Sequence, residues 1–332
     1  MNSNVAIVMP LGRLSPWFRE ALESALMQET KAPVHLIANA LSKEDLGILR
    51  TLSSERQGIY VHEFSERLPM VSNWNRMLSA VDYKFIAILH DDDLLEPWTI
   101  RKLSEAASRL PDRGIYLTKE RLINEDGNFY DDQAPKNEGS IRDLDTEESI
   151  SWAILNRIFA TGFMLDLTKA RELGGFDESI GYSPDWDLYF SLCSRYGACF
   201  VDVHGGRYRF GSATGQLSSK LARSGDSIAS YRTQQLVNIG RMGLSPESVK
   251  AAMASALAIQ AKMVNCHYAE CLDSNGILVV RNAIKEGIVT RFGEAAEILL
   301  RLPPLNFAIN RYIDYRYRSL RTTYARIKPK SK

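Results

Sequence analysis

The sequence has almost no excess charge of either sign. Among its 332 residues, 41 Lys and Arg stand against 40 Asp and Glu, which leaves a formal net charge of +1. A balance this even gives no field strong enough to hold a polyanionic backbone, so the composition argues against nucleic acid as a partner. Hydrophobic residues make up 45% of the chain, which suffices for an ordinary buried core.

Long hydrophobic runs and paired cysteines are also missing. The longest apolar stretches, such as residues 85–89, are strand-sized and stop at charges, so none can cross a bilayer. The four cysteines are scattered over the second half with no secretion signal before them, which indicates a reducing cytoplasm. Cys266, His267 and Cys271 could be part of a zinc site, or ordinary helix positions, since no second ligand pair lies nearby.

Short apolar runs alternate with amphipathic segments in the first third of the chain. Such alternation predicts an α/β fold with a doubly wound, mostly parallel sheet. The predicted elements are, in chain order, strand 4–9, helix 16–27, strand 34–38, helix 44–52, strand 58–62, helix 70–81, strand 83–89 and helix 97–110.

The remaining chain divides into a completion of this sheet and a helical part. Strands are predicted near 114–118 and 160–164, with a helix at 167–173 and another that begins at Asp185. The polar stretch 124–145 is interpreted as a loop at the mouth of the site. We expect a sheet domain over residues 1–226 and a helical C-terminal appendage over 227–332, ending in a tail rich in Arg, Lys and Tyr.

Three consecutive aspartates, Asp91, Asp92 and Asp93, follow the apolar strand 83–89. The carboxyl ends of the central strands are where such sheets bind ligands. Adjacent carboxylates repel one another, and a Mg²⁺ or Mn²⁺ ion shared with a diphosphate would relieve that repulsion. The alternative is that these residues only cap the helix that starts near Pro97.

Five landmarks in order resemble the family-2 glycosyltransferases with the GT-A fold, over about the first two-thirds of the chain. The resemblance implies inverting transfer of a sugar from a nucleotide-diphosphate donor to a hydroxyl of a glycan or lipid-linked glycan, as in bacterial surface polysaccharide synthesis. The landmarks are the first strand from Val5 to Pro10, Asn73-Trp-Asn75-Arg, His90-Asp-Asp-Asp93 followed by Pro97, Gly174-Gly-Phe-Asp-Glu178 and Asp185-Trp-Asp187-Leu188.

The resemblance also implies which residues hold the donor. It places Pro10, Leu11, Asn39 and Asn75 against the nucleotide, and Asp91, Asp92 and Asp93 against the metal and the ribose and diphosphate, with Asp92 favoured as the direct ligand. This sequence has Ala38-Asn39 where the family usually has an acidic pair. Asn39 offers a donor as well as an acceptor, so the identity of the base stays open.

The family's catalytic base corresponds to Asp185, in a Pro184-Asp185 pair where the family usually has Glu-Asp. A base for inverting transfer must reach the acceptor hydroxyl. Asp187 is the alternative base, and Asp185 could instead be a helix cap. Trp186 and Trp74 could each face a sugar ring or pack in the core.

Two basic features remain open. Arg207 and Arg209 lie where the family closes a segment over the diphosphate, but surface salt bridges explain them equally well. The tail 310–332 could touch anionic lipid at the inner face of the membrane, or be a solvated helix.

Two rival functions are compatible with parts of the sequence. A sugar-phosphate nucleotidyltransferase has a similar sheet, and Leu11-Gly-Arg-Leu-Ser-Pro16 faintly resembles its phosphate loop, although with too few glycines. A degenerate transferase kept as a scaffold is compatible with the departures at Asn39 and Pro184. The sequence identifies neither the donor sugar nor the acceptor.

Overall fold

The computed structural model describes residues 4–129, 134–146, 148–149, 161–180 and 184–209. Apart from Ile180, these residues belong to one compact unit formed by Met1–Ser179 and Pro184–Gly211. The expected domain boundary at 226, the helical region 227–332 with its tail, and the cysteine and histidine group near 266 lie outside the described residues.

Strands and helices alternate through the described part of the chain as the apolar periodicity predicts. The strands are β1 (Val5–Leu11), β2 (Val34–Asn39), β3 (Ile59–Phe64), β4 (Phe85–Ile88), β5 (Leu94–Leu95), β6 (Ile115–Ile123), β7 (Ile141–Leu144), β8 (Phe163–Asp166) and β9 (Ala198–Arg209). The helices are α1 (Phe18–Leu26), α2 (Lys43–Glu55), α3 (Met70–Ala80), α4 (Thr99–Arg109), α5 (Leu167–Glu172) and α6 (Pro184–Tyr196).

These strands form one mixed sheet in the order β3-β2-β1-β4-β8-β6-β9-β5, with β7 pairing β9. Strands β1 to β4 are parallel to one another, and β8 runs antiparallel to both β4 and β6. Strand β9 is parallel to β6 and antiparallel to β5 and β7. Six of the nine described strands therefore point the same way, which confirms the prediction of a mostly parallel α/β sheet.

The sheet is covered on both faces by helices, which is why β1 and β2 are buried along their whole length. Ile7 and Met9 join a core cluster with buried residues of α1, α2 and α4. Ala6 and Val8 are equally buried on the opposite side of the same strand. Helices α3, α5 and α6 contact the sheet as well. No helix within the described ranges is long and apolar enough to span a membrane.

Two boundaries near the start of the fold differ from the predicted ones. Strand β1 continues through Pro10 to Leu11. A proline has no N–H to donate, but its carbonyl can still accept, and Pro10 keeps its place in the register with β2. Helix α1 begins at Phe18 rather than at Pro16. The N–H and hydroxyl of Ser15 bind Asp91, and the Ser15 Oγ also accepts the backbone N–H of Trp17 over 3.3 Å, just before the helix.

Candidate active site

An acidic loop, defined here as Asp91, Asp92 and Asp93, joins β4 to β5 at the carboxyl edge of the parallel strands. The backbone N–H of Ser15 donates to Asp91 Oδ2 over 2.7 Å, and the Ser15 hydroxyl donates to the Asp91 carbonyl over 2.6 Å. The segment after β1 therefore fixes the first residue of the acidic loop.

Asp93 is the most deeply buried carboxyl of the acidic loop, with 1% of the residue exposed. Its Oδ1 accepts the backbone N–H of Arg209 over 2.9 Å, whereas its buried Oδ2 has no hydrogen-bond partner among the described residues. Burial, and then the charge of Asp92, raises the pKa of Asp93 well above its usual value. The same two causes raise the pKa of Asp91. The acidic loop is therefore a place of strong mutual repulsion between carboxylates.

The acidic loop fits a hard divalent cation in its chemistry. Carboxylate oxygens are the ligands that Mg²⁺ and Mn²⁺ prefer, and a cation would relieve both the repulsion and the unpartnered oxygen of Asp93. In the part of the chain that the structure describes, no group of three His, Cys, Asp or Glu side chains is arranged to hold a metal by itself. The loop would thus provide part of a coordination shell, with phosphate oxygens and water completing it.

Arg209, predicted to contact the diphosphate, lies behind the acidic loop instead. Its Nε donates to the Asp92 carbonyl over 2.9 Å, its Nη1 donates to the carbonyls of residues 124 and 125 over 3.0 and 2.9 Å, and its Nη2 donates to Glu20 over 2.7 Å. The guanidinium lies 5.0 Å from the centre of the Trp17 ring, and the residue is 1% exposed. These contacts hold the guanidinium inside the domain as a support for the loop, and a contact between Arg209 and the diphosphate stays a prediction.

Arg207 forms the salt bridge that was the alternative to a diphosphate contact. Its Nε donates to one carboxylate oxygen of Glu96 and its Nη2 donates to the other, both over 2.8 Å, and Glu96 is 1% exposed. Two parallel bonds to one carboxylate are a strong and directional pairing. This ion pair fastens β9 to the chain just after β5.

Asn39, at the end of β2, uses its amide inside the protein. Its Nδ2 donates to the Leu68 carbonyl and its Oδ1 accepts the Leu68 N–H, both over 2.9 Å, and the residue is 4% exposed. This reciprocal pair holds the loop after β3 against the end of β2. Pro10 and Leu11 end the neighbouring strand β1 and are buried. The fold thus brings Asn39, Pro10 and Leu11 to the same edge of the sheet.

Asn75 joins α3 to the loop of the Gly174-Gly175 landmark. Its Oδ1 accepts the Phe176 N–H over 2.8 Å, and its Nδ2 donates to the Phe176 carbonyl over 2.9 Å and to Glu178 over 3.0 Å. Gly175 has a φ of +76°, and a Cβ added there would lie 2.5 Å from Asn75 Oδ1. Glycine is therefore required for this close approach.

Trp74 links that loop to the acidic loop. Its ring lies 5.1 Å from the ring of Phe176 and 5.7 Å from the ring of His90, which directly precedes Asp91. Trp186 packs in the core, with 5% of the residue exposed and its ring 6.0 Å from that of Phe190. The core role holds for Trp186, whereas Trp74 lies beside the acidic loop.

Asp185 and Asp187 lie in the first turn of α6. Asp185 is half-buried, and burial raises its pKa against the opposing effects of the Trp186 backbone N–H and of the charge on His90. His90 directly precedes Asp91, so Asp185 is within the electrostatic influence of the start of the acidic loop. Asp187 is 5% exposed and lies deeper in the domain.

The sequence did not indicate the hydrogen-bond partners of a serine and a glutamate at this edge. Ser15 resembles an ordinary helix cap before Pro16, and only the fold brings it to Asp91, 76 positions later. Glu178 accepts hydrogen bonds from both Ser72 and Asn75. The Gly174 to Glu178 landmark marks Glu178 as a family residue, but nothing local indicates its partners on α3.

Sheet order, acidic loop and the aspartates of α6 agree with the resemblance to glycosyltransferases with the GT-A fold. The sequence model of glycosyl transferase family 2 matches residues 6–164, which supports that family for this part of the chain. No curated protein matches the chain by sequence.

Solved structures share this fold at low identity. The structure of S. aureus TarS 1–349 in complex with UDP-GlcNAc is 13% identical, with a TM-score of 0.57 over 97% of this chain and 91% of that one. The mannosyltransferase PcManGT from Pyrobaculum calidifontis, in complex with GDP-Man and Mn²⁺, is 14% identical, with a TM-score of 0.55 over 98% of this chain and 88% of that one. At these identities the likeness establishes the fold.

Proposed function

We propose that this protein transfers a sugar, with inversion, from a nucleotide-diphosphate donor to a hydroxyl group of a glycan or lipid-linked glycan. The observation that carries the proposal is that the acidic loop lies at the carboxyl edge of the parallel strands and that the charge of His90, next to this loop, acts on Asp185. That arrangement offers a place for the leaving diphosphate and a base beside it, as an in-line displacement requires.

The donor half of the site rests on the acidic loop and on the neighbouring strand ends. Asp92, flanked by two carboxyl groups held by Ser15 and Arg209, is the residue we assign as direct ligand of a Mg²⁺ or Mn²⁺ ion. When bound, such an ion neutralises charge that develops on the diphosphate. Support comes from the similar structures, which hold UDP-GlcNAc in one protein and GDP-Man with Mn²⁺ in the other.

The acceptor half of the site rests on Asp185. Burial makes this carboxylate a better proton acceptor than an exposed aspartate, since its raised pKa favours the protonated product. Its position in the first turn of α6 fixes its backbone. We assign Asp185 as the general base that takes the proton of the acceptor hydroxyl, with Asp187 as the alternative.

The experiment that tests this assignment compares donor binding with transfer. Calorimetry would be run against UDP, GDP, dTDP and CMP with and without Mn²⁺, and transfer would be measured with the matching nucleotide sugar. We expect Asp185→Asn to keep nucleotide affinity and to lose about 10²–10⁴-fold in rate, the usual contribution of a general base. Asp92→Ala should lose the metal-dependent part of nucleotide binding.

Asp112→Asn is the matched control, since Asp112 is exposed in the turn before β6. A loss of nucleotide binding in Asp185→Asn would remove that residue from the base role. Transfer that survives in Asp185→Asn but not in Asp187→Asn would move the role to Asp187. If no nucleotide binds the wild-type protein, the scaffold interpretation takes the place of the transferase.

A further inference from the structure

A groove lies at the edge of the sheet opposite the acidic loop. It runs past the residues that precede each of the four parallel strands: Asn4 before β1, Pro33 before β2, Gly58 before β3 and Lys84 before β4. Its volume is about 1170 Å³. Because the acidic loop follows the carboxyl end of β4, the two sites are separated by the length of the strands.

Three cationic side chains line this amino-edge groove. Lys31, Arg56 and Lys84 each come shortly before a different strand, so the fold gathers them although they are distant in sequence. Lys31 donates to the Leu26 carbonyl over 2.7 Å and Lys84 lies 5.0 Å from the centre of the Phe85 ring, neither of which cancels a charge.

Acidic groups reduce the positive charge of the groove to a small excess. Arg56 pairs with Glu23 on α1, and Asp82 lines the groove. The two positive charges of Lys31 and Lys84 and the negative charge of Asp82 leave the groove with a net charge of +1 at neutral pH. An excess of this size suits a ligand with a single negative charge rather than a polyanion.

An aromatic surface adjoins these charges. Tyr60 is 52% exposed, and its ring stacks on His35 with 5.0 Å between centroids and 15° between planes. His35 is fixed from its other side by Tyr83, whose hydroxyl lies 3.1 Å from His35 Nε2. Tyr60 and Tyr83 both line the groove. An immobilised tyrosine face is suited to the apolar side of a sugar ring.

We propose that the amino-edge groove binds a sugar unit that carries one negative charge, as a carboxylate or a phosphodiester. Lys31 and Lys84 contact the anionic group, the face of Tyr60 contacts the ring, and Asp82 and Gln57 offer hydrogen-bonding groups to the hydroxyls. Such a site would hold a segment of an anionic glycan away from the point of transfer. Its binding does not depend on the proposed transferase reaction.

The test is an amide chemical-shift titration of the full chain, without nucleotide or metal. The probes are glucuronate, methyl glucosyl phosphate, neutral glucose and acetate. We expect one or both of the anionic sugars to shift the amides of Lys31, Gly58 and Lys84 at millimolar concentration and to leave the acidic loop unchanged. The comparison between the two anionic sugars distinguishes a carboxylate from a phosphodiester ligand.

Variants locate the contacts. The double variant Lys31→Gln/Lys84→Gln should lose about tenfold in affinity, because each close charge pair at a surface contributes a severalfold factor. Tyr60→Ala should weaken the anionic sugars and not acetate. Lys43→Gln is the control, an exposed lysine at the first residue of α2 near the other edge of the sheet.

Three outcomes would overturn the proposal. These are no shift of the groove amides by either anionic sugar, an acetate affinity equal to theirs, and an unchanged affinity in the double lysine variant. All three lysines are exposed, so a thermal melt suffices to show that each variant is folded.

Discussion

The replacement Arg209→Lys distinguishes a support of the acidic loop from a ligand of the diphosphate. The arginine donates from three nitrogen atoms to backbone carbonyls at 92, 124 and 125 and to Glu20. A lysine has one nitrogen atom and cannot reach these separate acceptors together. We therefore expect the variant to leave at least one of the three carbonyls without a partner, since Nε binds the carbonyl of residue 92 and Nη1 binds those of 124 and 125.

The cost of that change follows from the burial of the site. Hydrogen bonds to a charged group contribute about 1.5–3 kcal/mol each when buried, and the ion pair with half-exposed Glu20 adds less than about 1 kcal/mol. After allowance for water that enters the site, Arg209→Lys should lower the free energy of unfolding by about 2–4 kcal/mol. Urea denaturation, with calorimetry of nucleotide binding on the folded protein, measures both effects.

Arg101→Lys is the matched control, because Arg101 pairs with Glu29 and Glu105 on an exposed face. It should change stability by less than about 0.5 kcal/mol. The reasoning is refuted if Arg209→Lys is as stable as the wild type. If nucleotide affinity also falls in such a stable variant, Arg209 contacts the diphosphate, as the sequence alone predicted.

Three further changes test other parts of the domain. Asn75→Ala removes three hydrogen bonds between α3 and the Phe176 loop and should cost about 1–3 kcal/mol in urea denaturation; an unchanged midpoint would mean that the loop is held elsewhere. Gly205→Ala would place a Cβ 2.2 Å from the Oγ1 of Thr118 in β6. Overpacking of this kind should lower the free energy of unfolding by about 1–3 kcal/mol, measured by the same urea denaturation. Burial, and then the charge of His62, lowers the pKa of His35 from its ordinary 6.5 to about 4. His35 therefore stays neutral in the folded state. Its contribution to the free energy of unfolding is fully present above pH 6.5 and is lost as the pH falls from 6.5 towards 4. Between pH 7 and pH 5, after allowance for solvent screening, the free energy of unfolding should fall by about 1 kcal/mol more in the wild type than in His35→Gln. Equal losses in the two proteins would contradict the lowered pKa of His35.

The sheet was predictable wherever a strand is buried on both faces. Strands β1 and β4 carry unbroken apolar runs, and β2 carries one interrupted by His35; helices with clear periodicity separate them, so the type and chain order of these elements follow from sequence alone. Strand β9 was not predicted, and its second half, with His204, Gly205 and Gly206, matches no strand pattern. Its pairing with β5, β6 and β7 comes from contacts distant in the chain.

The candidate site, like the sheet, was predictable from the sequence only in part. The acidic loop could be predicted because it follows an apolar strand that the sequence itself defines, whereas Asp185 was predicted from the resemblance to the family. The partners of Arg209 and Asn39 were not predictable, since the groups they bind are carbonyls and N–H groups that any residue carries. A side chain that binds backbone leaves no mark in the sequence of its partner.

Pairing on both sides of the acidic loop limits what can change there. Strand β4 is fixed by β1 and β8, and Leu94 and Leu95 are fixed opposite Arg207 and Gly206 of β9. An inserted residue between them would force a slip of the second pairing or a bulge. The length of this connection is thus set by the sheet, independently of the side chains that it carries. The backbone of the acidic loop is already ordered when the domain folds, so a ligand that binds there does not have to restrict that backbone again.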